Sequence, residues 1–78
     1  MSKAEILQSL LTIPDDKERI LELISSSWNI RRSFPRDTLE LAFTAREMSV
    51  NIDFTEGVAY SYRNSGTSYY LLSQYNQA

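Results

Sequence analysis

Ser25, Ser26 and Ser27 place three hydroxyls in a row, while Asp15, Asp16 and Glu18, and later Asp53 with Glu56, place carboxylates at short spacing. The chain has no histidine and no cysteine. A serine nucleophile therefore has no imidazole to take its proton, and thiolate and disulfide chemistry is excluded within the chain. Only carboxylate or carbonyl oxygens could hold a metal, and the best set, Asp15, Asp16 and Glu18, sits where helix capping already accounts for it. No catalytic residue, cofactor or metal is expected. What remains is recognition chemistry. Arg63 can grip a carboxylate through two parallel hydrogen bonds, and Asn64 beside it can bridge a peptide backbone. Arg31, Arg32 and Arg36 form a second basic cluster, explained first by a solvated helix end and second by an anionic ligand.

The groups that could recognise a partner must be carried by helices. Ser2 and Glu5 have the spacing of a capping box, followed by Ile6, Leu7, Leu10 and Leu11, which predicts a short amphipathic helix over 3–12 that ends at Ile13-Pro14. Asp15 and Glu18 restart a helix over 16–32, with Ile20, Leu21, Ile24 and Trp28 on one stripe and Leu23 and Ile30 on another side. Pro35 suits the first turn of a third helix over 35–52. Its main stripe is Leu41, Ala42, Ala45, Met48 and Ile52, and Leu39, Phe43 and Val50 on a second side predict that it lies between neighbours. Asp53 and Glu56 predict the cap of a fourth helix over 54–72. There Val58, Ala59, Tyr62, Gly66, Tyr69 and Leu72 share a stripe, and Gly66 would let a neighbouring helix come close. A polar break at Ser73-Gln74 predicts the start of a fifth helix. With only two glycines and two prolines in 78 residues, an all-α fold of antiparallel hairpins follows from the short links.

A net charge of −2 and a pI near 4.9 disfavour nucleic acid as a partner, since phosphate neutralisation needs a basic face. No run approaches the roughly 20 apolar residues of a membrane span, and the expected location is the cytoplasm.

Ala59, Tyr62, Gly66, Tyr69, Tyr75 and Ala78, in this order and spacing, resemble the tetratricopeptide repeat (TPR), over its first helix and turn. Leu21, Ile24 and Trp28 superpose on Tyr62, Ser65 and Tyr69 at an offset of 41, and Pro35 and Thr38 on Tyr75 and Ala78 at 40. The resemblance implies an α-solenoid. In it, 3–12 is a capping helix, 16–52 a degenerate first repeat with Ser25 opposite Gly66, and 54–78 an incomplete second one. It further implies the amino-terminal part of a longer array in a bacterial signalling or regulatory protein. Such arrays bind a partner protein or peptide in a groove, which maps here onto Tyr60, Arg63, Asn64, Thr67 and Tyr70, with Arg19, Glu22, Ser26 and Asn29 from the earlier helix. The alternative is self-association, a homodimer through Val58, Tyr62, Ser65, Tyr69 and Leu72. The tyrosines could also suggest stacking on nucleic acid, but their spacing puts Tyr62, Tyr69 and Tyr75 into the core with hydroxyls at its edge, leaving Tyr60 and Tyr70 for contact.

Overall fold

The computed structural model describes residues 1–77, with side chains through residue 74. Four α-helices and one short 3-10 turn make up the fold: α1 (Lys3–Ser9) running into the turn Leu10–Thr12, then α2 (Asp16–Asn29), α3 (Pro35–Asn51) and α4 (Thr55–Gln77). The expected local signals act at the first three starts. Ser2 Oγ accepts from the Glu5 amide while Glu5 Oε1 accepts from the Ser2 amide, Asp15 accepts from the Glu18 amide, and Pro35 occupies the first turn of α3. The Lys3 ammonium donates to the Glu40 carboxylate, tying α1 to α3 at the surface. That hydrogen bond holds the Glu40 carboxyl below its ordinary value of 4.5.

The apolar core lies at the α1 end, where Ile6, Leu10, Ile20, Leu23, Ile24, Leu41, Ala45 and Phe54 are buried and Ile13, Ile30, Met48 and Ile52 close its rim. The second apolar side expected for α3 is not sandwiched. Phe43 and Val50 are exposed, Val50 by 58%, because α2 and α4 both pack on the face that carries Leu41, Ala42 and Ala45.

α4 differs most from expectation. Its inner face is made of Gly57, Ser61, Asn64, Ser65 and Ser68, all buried, whereas Tyr62 and Tyr69, expected in the core, are more than half exposed. Size, not polarity, decides this face. A Cβ on Gly57 would stand 2.2 Å from Ser49 Oγ and 2.8 Å from the Phe54 ring, so α3 and α4 meet across a gap that no larger side chain fits. The serines answer their own hydroxyls by donating one turn back, Ser61 to the Gly57 carbonyl, Ser68 to that of Asn64 and, on α3, Ser49 to that of Ala45.

Gly66 does not mark a close approach, since nothing lies within 4 Å of a Cβ built on it. Gly66→Ala is therefore expected to stabilise the chain by about 1 kcal/mol, the ordinary gain from removing a glycine from an exposed helix. A thermal melt should shift upward by about 4–8 °C. A drop instead would mean that this face is covered.

Asp53 does not cap α4. It adopts a left-handed conformation with φ of 54° and ends α3, its amide donating to the Val50 carbonyl and that of Phe54 to the Ser49 carbonyl, the paired pattern of a Schellman turn. Nor does a fifth helix begin near residue 74. Ser73 and Gln74 are polar but contain no breaker, and Gln74 Nε2 donates to Tyr70 Oη one turn back, so α4 runs unbroken to Gln77. The side chain of Tyr75 and all of Ala78, used in the repeat comparison, lie outside the described residues.

Candidate binding surface

α4 crosses α2 and α3 with Asn64 at the centre of the three-helix seam. Its side chain is completely buried. Nδ2 donates to the Ile24 carbonyl at 3.0 Å and to Ser27 Oγ at 3.2 Å, both on α2, and Oδ1 accepts from Arg63 Nε and Nη2 at 3.1 and 3.0 Å. Ser27 Oγ in turn donates to the Ile24 carbonyl, and buried Thr38 on α3 donates to the Ser27 carbonyl at 2.9 Å. Among the described residues, no buried side-chain polar atom lacks a partner. The network joins all three helices through polar groups that would be costly to leave unpaired.

This geometry corrects three of the residues expected to contact a partner. Asn64 has every polar atom engaged inside the bundle and cannot bridge a peptide backbone. Arg19 is occupied structurally, with Nε and Nη2 donating to the Ile13 carbonyl and Nη1 to Asp16, which fastens the 13–15 link to α2. Ser26 is buried and donates to Glu22. From the self-association set, Ser65 is also buried, donating to the Tyr62 carbonyl, so it lies beneath the tyrosines instead of between them.

The rest of α4 sorts around Asn64 by helical geometry. Tyr60, Arg63, Thr67 and Tyr70 run along the flank beside α2, where the Arg63 guanidinium carbon stands 4.1 Å from the Trp28 ring and 5.2 Å from that of Tyr60. Tyr62 lies on the flank beside α3, where Arg46 stacks between it and Phe43, 5.3 and 5.0 Å from the two rings. Tyr69 follows two turns on, with Val58 and Leu72 half-buried on the same side. Asn29 is exposed near the end of α2. The tyrosine exposures are 44% for Tyr60, 57% for Tyr62, 56% for Tyr69 and 62% for Tyr70. Glu56 and Arg63 are the helix's charged residues, so from residue 64 to its end it shows water no charge at all. An ordinary surface helix carries its charges there.

Two shallow clefts lie away from the tyrosines of the α2 flank. One of about 290 Å³ is lined by Ser49, Val50, Asp53, Phe54, Thr55 and Val58 at the turn into α4. The other, about 230 Å³, lies between the start of α2 and the end of α3. No helix among the described residues is long and apolar enough to cross a membrane.

Sequence reasoning missed the grouping of Trp28, Arg31 and Arg63. Trp28 and Arg31 stand three apart on one turn, but nothing local says that Arg63, a helix and a half further on, shares their ring. Compared with known families, with curated proteins and with solved structures, the chain finds no match.

Proposed function

We propose that this chain is a non-catalytic protein-interaction module of the TPR type, working in the cytoplasm as a segment of a larger signalling or regulatory protein. The partner is a peptide or protein segment lying along the α2 flank of α4, against Tyr60, Arg63, Thr67 and Tyr70, with Asn29 at its edge. One observation carries this reading: four tyrosines stand exposed on a helix with no charge beyond Arg63. Tyrosine offers large contact area with little side-chain freedom to lose, and its hydroxyl can stay hydrogen-bonded at the rim of a contact. The packing of α4 on both α2 and α3 supports a repeat-like stack, since a further hairpin would extend it in the same sense.

Selection of displayed peptides against the isolated chain tests the assignment of the flank. Enriched peptides should lose at least about tenfold in affinity with Tyr60→Ala or Tyr70→Ala, the scale of an interface anchor, and keep it with Tyr69→Asp. No enrichment, or a loss that follows Tyr69 instead, would count against it.

The α3 flank favours a second reading, a homodimer through Val58, Tyr62, Tyr69 and Leu72. Nothing lies within 4 Å of a Cβ built on Gly66, and α4 brings no charge of its own from residue 64 on to such a contact, while Arg46 of α3 is held between the Tyr62 and Phe43 rings. Light scattering over a concentration series distinguishes the two. A dimer that Tyr69→Asp dissociates and Arg63→Ala spares would establish this reading, and a monomer throughout would remove it.

A further inference from the structure

We propose that Trp28, Arg31 and Arg63 form a binding site for a phosphate monoester group. The site is assembled from two elements. α2 ends at Asn29, and Arg31 folds back so that its Nη1 donates to the Trp28 carbonyl at 2.9 Å and its guanidinium carbon rests 3.9 Å from the indole ring. Arg63 reaches the same ring from α4, at 4.1 Å. Two cations thus share one half-buried ring. Among the described residues, neither makes an ion pair with a carboxylate.

Each guanidinium keeps donors in reserve. Arg31 uses Nη1 on the helix end, which leaves Nε and Nη2, while Arg63 uses Nε and Nη2 on Asn64, which leaves Nη1. Arg63 is also pre-positioned, because the buried Asn64 that holds it is itself fixed on α2 by Ile24 and Ser27. An exposed arginine ordinarily loses side-chain freedom when it grips a ligand, and here that loss has largely occurred already. The indole face attracts both cations but neutralises neither. A phosphate monoester matches what is missing: close to two negative charges near neutral pH for two unneutralised cations, and three oxygens that accept from guanidinium donors. A single carboxylate would leave one positive charge unanswered.

Trp28 is the only tryptophan, so its fluorescence and its indole N–H resonance report on the site alone. The test titrates the whole chain with glycerol 2-phosphate, with inorganic phosphate and with a neutral capped peptide containing one phosphoserine, against sodium chloride at matched ionic strength. Saturable shifts of the Trp28 indole N–H and of the Arg31 and Arg63 Nε–H resonances are expected with the phosphates and not with chloride. Affinity should fall several-fold from pH 7.5 to pH 5.0, as the phosphate takes up its second proton near pH 6. Arg31→Gln should weaken binding by at least about tenfold, the effect of losing charge-assisted hydrogen bonds. This variant leaves every hydrogen bond of Asn64 in place, so an unchanged circular dichroism spectrum and melt separate lost binding from lost folding. Tighter binding of the phosphopeptide than of glycerol 2-phosphate assigns the group to a modified protein chain, and the reverse order to a small phosphorylated molecule. Shifts that never saturate, that chloride reproduces, or that Arg31→Gln leaves intact would overturn the site and leave the stack as a purely structural one. Both readings use Arg63, but docking of an unmodified peptide is tested separately by Tyr60→Ala and Tyr70→Ala, which leave Trp28, Arg31 and Arg63 in place.

Discussion

Gly57→Ala is expected to destabilise the chain by about 3 kcal/mol, at the upper end of what one added methyl group costs in a packed interface. The new Cβ would lie 2.2 Å from Ser49 Oγ, 3.0 Å from Ser49 Cβ and 2.8 Å from Phe54 Cδ2. The Ser49 hydroxyl cannot simply rotate away without giving up its bond to the Ala45 carbonyl, made at 2.7 Å in the interior. α4 must therefore lift off α3, and the seam centred on Asn64 lifts with it. A domain of this size has roughly 4–12 kcal/mol of stability in all, so a large share would be lost. Thermal unfolding followed by circular dichroism should show a fall of about 12–24 °C. Ser49→Gly in the same chain should recover part of the loss, because it removes two of the three clashes. A coupling energy above about 1 kcal/mol in that double-mutant cycle is expected of residues in direct contact. Additive effects would show that the two helices do not meet there.

Asn64→Asp should cost about 2–3 kcal/mol at pH 7, although it changes one atom. The amide donor that serves the Ile24 carbonyl and Ser27 Oγ would become a second acceptor, so two oxygens would face each other inside the seam. Arg63 beside it offsets part of the charge through Oδ1 but makes no bond to the position that faces Ile24 and Ser27. Burial and the facing carbonyl both favour the protonated acid, which can donate to Ile24 as the amide does. The introduced carboxyl would thus titrate higher in the folded chain than in the unfolded one. Its relative stability is then best below the unfolded value near 3.9 and is lost as pH rises through the folded value. Urea titrations of both proteins from pH 3.5 to pH 7 should show the gap between them widening as pH rises. A constant gap would mean that the side chain at position 64 reaches water.

The starts of α1, α2 and α3 were legible because each is set by a few neighbouring residues. Ser2 with Glu5, Asp15 with Glu18, and Pro35 act over one turn and need no knowledge of the rest of the chain. The inner face of α4 was not, because hydrophobicity favours the stripe of Val58, Tyr62 and Tyr69 while the narrow gap to α3 favours the smallest residues. Gly57, Ser61, Asn64 and Ser68 recur at helical spacing, as do Ala42, Ala45 and Ser49 on α3, and those paired runs of small residues were the available signal. Of the two glycines on α4, the one at a close approach is Gly57, and only contact with Ser49 tells it from Gly66. Tyr60 and Tyr70 were identified as contact residues from their helical phase and are exposed. Asn64 was expected to reach a peptide together with Arg63, yet on a helix adjacent residues point about 100° apart, and Asn64 turns into the seam against α2 while Arg63 lies along the exposed flank and reaches back to bond Asn64 Oδ1.

The central claim is that small residues seal α4 to the bundle and leave its tyrosines facing outward for a partner. Photochemically induced nuclear polarisation on the dilute chain measures this directly, since a flavin dye polarises only tyrosines that it can touch. Strong signals from Tyr60, Tyr62, Tyr69 and Tyr70 in the free chain, with Tyr60 and Tyr70 alone quenched by a selected peptide, are the predicted result. Silence from Tyr62 and Tyr69 in the free monomer, together with fast solvent exchange of the Asn64 side-chain amide, would mean that α4 packs on its opposite face and would contradict the account.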